Sequence, residues 1–193
     1  MTLRALTIPL LVYTLGCALA TPGAAQALDP AARAAVEALR EGDMRKLAVH
    51  EAAVPAPDVA FLDPEGVETT LAASDGRLRL VNFWATWCAP CREEMPALAA
   101  LQAGLAGEEF EVLLVATGRN SPEAITRFFE EAGLDGLETG LDPKGRLAQA
   151  MGVPGLPVTV ILNREGAEIA RLMGGADGNA PSARAIVADL LAR

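Results

Sequence analysis

The segment "RLRLVNFWATWCAPCREEMP", Arg77 to Pro96, constrains this chain more than any other. It is β-rich and almost continuously apolar from Leu80 to Ala85, the pattern of a strand buried on both faces. Such a strand belongs in the middle of an α/β sandwich, with helices covering it. Two cysteines follow directly. A helical pattern then runs from about Ala89 to Leu105, with Leu98, Leu101 and Leu105 on one face. The strand therefore hands over to the helix at Cys88 and Cys91.

Cysteines three apart at a helix start lie one turn apart, close enough for disulfide geometry. Cys88 falls at the helix N-terminus, where free N–H groups and the helix dipole favour a thiolate. Cys91 lies a turn deeper and suits the task of resolving a mixed disulfide. A purely stabilising bridge is the plainer alternative. Closing a loop of about four residues contributes only roughly 2 kcal/mol, against about 3 for fifteen residues, so a staple would be placed wider. A zinc site is poorly supplied, because C-x-x-C offers two ligands where zinc takes three or four. The single histidine, His50, lies in the N-terminal extension and reads as an ordinary surface or packing residue. Two thiolates can hold copper(I), so a copper(I)-binding metallochaperone stands as the alternative function. No residue is assigned as a metal ligand.

The first 27 residues read as a signal peptide. Arg4 precedes an apolar run from Leu6 to about Ala20, and Ala25-Gln26-Ala27 has the small-x-small pattern of a cleavage site. An uncleaved leader anchoring the protein to the inner membrane is the alternative. Cleavage removes Arg4 and no acid, so it deepens the formal net charge of −9 by one. It also removes Cys17, leaving Cys88 and Cys91 as the only thiols, in a periplasmic compartment that permits disulfides. Acids outnumber bases 25 to 16, which disfavours nucleic acid as a partner. A chain with 51% hydrophobic residues buries a normal core and needs no disulfide merely to fold.

Residues 28–56 read as a helical extension and linker, with Asp29-Pro30 as cap and first helical position and helix expected from Asp29 to Glu51. Residues 57–193 read as the main domain. Short strands are expected at Val59–Leu62 and Val67–Leu71, and a second buried strand at Glu109–Thr117. A helix opens at Pro122 and closes at Gly133. A short strand near Leu137–Leu141 and a helix from about Pro143 to Met151 follow. "LPVTVIL", "NREG" and "AEIARLM" form a hairpin signal, "GGADGN" reads as a plain connector, and Ser182–Ala192 as a last helix. This order, β-α-β-α-(β-α)-β-β-α, describes a sheet parallel in its first half and antiparallel in its last hairpin.

"VNFWATWCAPC" resembles the active-site segment of the thioredoxin superfamily, and "CREEMP" is similar to the C-x-x-C-x-x-E-x-P of TlpA/ResA-like thiol–disulfide reductases. The likeness extends from about Pro57 through "LVATGRN", "FFEEAGL" and "LDPKGRLAQAMGVPGLPVTVIL". It implies a thioredoxin fold: a central mixed β-sheet flanked by helices, with an N-terminal extension and a central β/α insertion. Gly155 to Thr159 matches G-x-P-x-T, so the resemblance implies a cis peptide before Pro157 and backbone groups at Leu156 facing a substrate strand. It places Trp87 at the groove border and Glu94 as proton shuttle for Cys88 and Cys91. Thioredoxins have an aspartate where Asn82 stands, and an amide cannot transfer that proton, so the duty passes to Glu94 or water. Pro96 should kink the helix.

Ala89 and Pro90 lack the histidine of strongly oxidising C-P-H-C pairs, which by resemblance implies a reductant. The expected function is a periplasmic protein-disulfide reductase serving cytochrome c biogenesis or copper-site assembly. Its clients would be apocytochrome c or copper-assembly proteins with disulfides, and a membrane thiol donor would keep it reduced. No cofactor is expected beyond the redox-active Cys88–Cys91 disulfide, and the protein is expected to act as a monomer.

Overall fold

A computed structural model describes residues 27–193 apart from Ala106 and Glu108. Residues 1–26 of the expected signal peptide, Cys17 among them, lie outside the described residues. Among those described, no helix is long and apolar enough to cross a membrane.

The chain begins with α1 (Pro30–Ala38), capped by Asp29, whose Oδ1 accepts from the Ala32 N–H at 2.8 Å. A single 310 turn (Gly42–Lys46) leads to strand β1 (Ala48–Pro55). Short strands β2 (Ala60–Leu62) and β3 (Glu68–Thr70) form a hairpin. Next come β4 (Leu78–Trp84), α2 (Ala89–Leu105) and β5 (Phe110–Thr117). They are followed by α3 (Pro122–Ala132), β6 (Glu138–Asp142) and α4 (Arg146–Ala150). The chain closes with β7 (Val158–Leu162), β8 (Ala167–Met173) and α5 (Pro181–Leu191).

All eight strands form one sheet in the order β1-β8-β7-β4-β5-β6-β2-β3. β4, β5 and β6 run parallel, whereas β7 lies antiparallel to β4 and β8 antiparallel to β7, as the sequence order implies. Every residue of β4 is buried. Its side chains alternate between two apolar layers: Leu78, Leu80 and Trp84 pack with α2 and α5, and Val81 and Phe83 pack with α4 and Phe61. A strand with an apolar layer on each face has no solvent side, which is why it reads as a continuous apolar run.

The extension departs from expectation. Only Pro30–Ala38 is α-helical, and Ala48–Pro55, expected as helix and linker, is an edge strand paired antiparallel with β8. Alanine-rich sequence favours helix locally, but strand pairing here is supplied by the exposed edge of β8. Val36, Met44 and Leu47 of the extension are buried in the same layer as α2 and α5. The extension is therefore part of the core rather than an appendage.

Candidate active site

β4 ends at Trp84, and the turn that follows is pinned from outside. Asn120, in the loop after β5, accepts at Oδ1 from the Thr86 N–H at 2.8 Å and from the Thr86 hydroxyl at 3.0 Å. Trp84 below it stacks on Phe129 at 5.7 Å and donates from Nε1 to Thr139 Oγ1 at 3.0 Å. Trp87 projects from this turn and is 66% exposed.

Cys88 occupies the N-cap of α2. Its carbonyl accepts from the Arg92 N–H at 3.1 Å, and its sulfur faces the Cys91 N–H at 3.3 Å. A sulfur at the cap position receives the unpaired N–H groups of the first turn, which stabilise negative charge there. Cys88 and Cys91 form a disulfide with Cα atoms 5.3 Å apart. Cys88 is 5% exposed and Cys91 is fully enclosed. Between them Ala89 and Pro90 are exposed and carry no charge. Pro96 lies inside α2 and, lacking an N–H, leaves the Arg92 carbonyl without its helical donor.

One turn beyond Cys91, Glu94 is buried at 7% exposure. Its Oε1 accepts from Asn82 Nδ2 at 2.8 Å and its Oε2 from the Ala176 N–H at 3.2 Å. Burial pushes the Glu94 carboxyl up to about 7; the bonds from Asn82 and Ala176 and the charge of Lys46 oppose that shift only in part. A carboxyl near 7 gains and releases a proton at neutral pH, the property a proton shuttle needs. Asn82 also donates to Thr159 Oγ1 at 2.9 Å, so one amide ties β4 to α2 and β7. A cavity of about 40 Å³ lies beside Glu94 and Thr159, walled by Met44 and Leu47 of the extension.

Leu156–Pro157 is a cis peptide, and the Pro157 carbonyl accepts from the Gly174 N–H at 2.9 Å. The loop before it and Trp87 border one groove of about 540 Å³, lined also by Gly118, Gly152, Val153 and Leu156. The structure thus gathers Cys88, Cys91 and Glu94 on α2, and Trp87 with Leu156 along the groove.

Three contributors escape a sequence reading. "GGADGN" supplies the Ala176 N–H to Glu94, and Gly175 of the same loop accepts from Lys46 Nζ at 2.7 Å. His50, read as ordinary, faces the buried carboxylate of Glu168 at 2.7 Å. These contacts span 82, 129 and 118 residues, so no local pattern announces them. Among the described residues no cluster of three or more histidine, cysteine or acidic side chains is arranged to hold a metal.

The pattern of the Redoxin family matches residues 51–187, and the chain belongs to that family. It is 34% identical over 140 residues to the thiol:disulfide interchange protein HelX of Rhodobacter capsulatus, covering 71% of this chain and 76% of HelX. It is 31% identical over 111 residues to the thiol-disulfide oxidoreductase ResA of Bacillus subtilis, covering 58% of this chain and 61% of ResA. The thioredoxin domain of a thiol-disulfide oxidoreductase from Bacteroides vulgatus superposes with a TM-score of 0.59 at 23% identity, covering 70% of this chain and 94% of that domain. The fold is that of thioredoxin, and the protein is a TlpA/ResA-like thiol–disulfide oxidoreductase.

Proposed function

We propose that the protein is an exported, periplasmic reductant of disulfides in client proteins. The observation that carries this is Cys88 at the N-cap of α2, bridged to an enclosed Cys91 with the Glu94 carboxyl one turn further on. In the reduced protein the Cys88 thiolate attacks one sulfur of the client disulfide and displaces the other as a thiolate. Glu94, ionised, takes the Cys91 proton. Cys91 then attacks Cys88 Sγ, the client's remaining sulfur leaves as a thiolate, and the Cys88–Cys91 disulfide forms. Two electrons have passed to the client, and a membrane thiol donor restores the dithiol. Apocytochrome c and copper-assembly proteins are the clients this reading favours.

Insulin reduction tests the scheme. Cys88→Ser should abolish turnover, and Cys91→Ser should accumulate a mixed disulfide with the client. Turnover retained in Cys88→Ser contradicts the scheme, and tight copper(I) binding by the reduced protein without turnover would mark a metallochaperone instead.

A further inference from the structure

Glu168 is 2% exposed, charged, and plays no part in the thiol chemistry. A bulge explains how it meets Arg171. β8 pairs Glu168 with Leu162 and Ala170 with Ile161, so Ile169 is an extra residue against β7. The insertion shifts the alternation and turns Glu168 and Arg171 to the same face, although they are three apart. The pair is a two-toothed fork: Arg171 Nε donates to Glu168 Oε1 at 2.6 Å, and Nη2 to Oε2 at 2.8 Å. His50 Nε2 reaches the same Oε1 at 2.7 Å from β1, at the point where the β1–β8 register breaks.

The guanidinium also reaches the chain just after α4. Nη2 also donates to the Met151 carbonyl at 2.9 Å, and Nη1 approaches the Gly152 carbonyl at 3.5 Å. These carbonyls lie at and just beyond the C-terminal end of α4, where helix carbonyls lack intrahelical donors. From Gly152 the chain runs directly into the loop that lines the groove together with Trp87 and ends at the cis-proline.

We propose that Arg171 is a positioning residue for client binding: gripped by Glu168, whose carboxylate His50 also holds, it anchors the Met151 and Gly152 carbonyls and so fixes the loop of residues 152–157 in the groove. This rests on reading that groove as the place where the client strand lies. Arginine suits the task because one rigid fork can satisfy a carboxylate and a carbonyl together, whereas a lysine offers a single point charge. The arrangement also links the N-terminal extension, through His50, to the client-facing loop.

The test compares two disulfides, insulin as a protein client and 5,5′-dithiobis(2-nitrobenzoic acid) as a small one that needs no groove. Arg171→Met should lower kcat/KM for insulin roughly ten- to hundredfold, mainly through KM, while leaving the small disulfide's rate unchanged. Arg171→Lys keeps the charge beside Glu168 and should fall between, and it carries the test alone if Arg171→Met does not fold. Equal losses on both disulfides, or no loss on insulin in a folded variant, overturn the proposal. Pro157→Ala separates the two readings. If it slows insulin reduction while the Arg171 variants do not, the groove reading stands and the role of Arg171 falls; if neither slows it, both fall.

Discussion

Glu94 sits where a helix turn, a buried amide and a loop N–H converge, and its carboxyl is pushed up to about 7 from an ordinary 4.5 chiefly by burial. The folded protein therefore holds a proton between those values that the unfolded chain has released. Its contribution to stability is full below about pH 4.5 and is lost as pH rises through about 7. At one pKa unit per about 1.4 kcal/mol, wild type should lose about 3 kcal/mol relative to Glu94→Gln as pH rises from about 4.5 to 8. Urea unfolding of both proteins across that range reads the difference directly. A difference that does not change with pH would mean the carboxyl titrates as an exposed one. The acidic position itself was legible in the C-x-x-C-x-x-E-x-P spacing. Its environment was not, because Asn82 lies on a different element and Ala176 lies 82 residues away.

At the scale of elements, local pattern served wherever one element carried its own signal. α2 runs from Ala89 to Leu105 as its leucine spacing implies, and Ser121 caps α3 before Pro122, with Gly133 closing it in the left-handed region at φ 61°. β1 carried no such signal, since "AVHEAAVP" has little strand character and is held by β8. The extension nevertheless packs as core: Leu47 is 3% exposed and walls the cavity beside Glu94. Leu47→Ala should therefore destabilise the protein by about 2–5 kcal/mol in urea unfolding, as an interior leucine does. A loss below about 0.5 kcal/mol, the level of a surface change, would show that the extension only rests on the domain.

The whole molecule is one mixed sheet between two apolar layers, with the disulfide at the end of its central strand. That architecture was readable from two long apolar strands, the cysteine pair and the distant "GLPVT". The polar framework behind the groove, from His50 through Glu168 and Arg171 to Met151, was not, because it depends on a bulge and an edge strand. Direction of electron flow is also a property of the whole site. No histidine or other cation stands between Cys88 and Cys91 to stabilise the reduced thiolate. A less stabilised thiolate makes a stronger reductant. The reduction potential of Cys88–Cys91, measured by equilibration against glutathione or dithiothreitol, tests this most directly. The reductant account predicts a value at or below about −200 mV, and a value near the strongly oxidising end, about −120 mV, would contradict it.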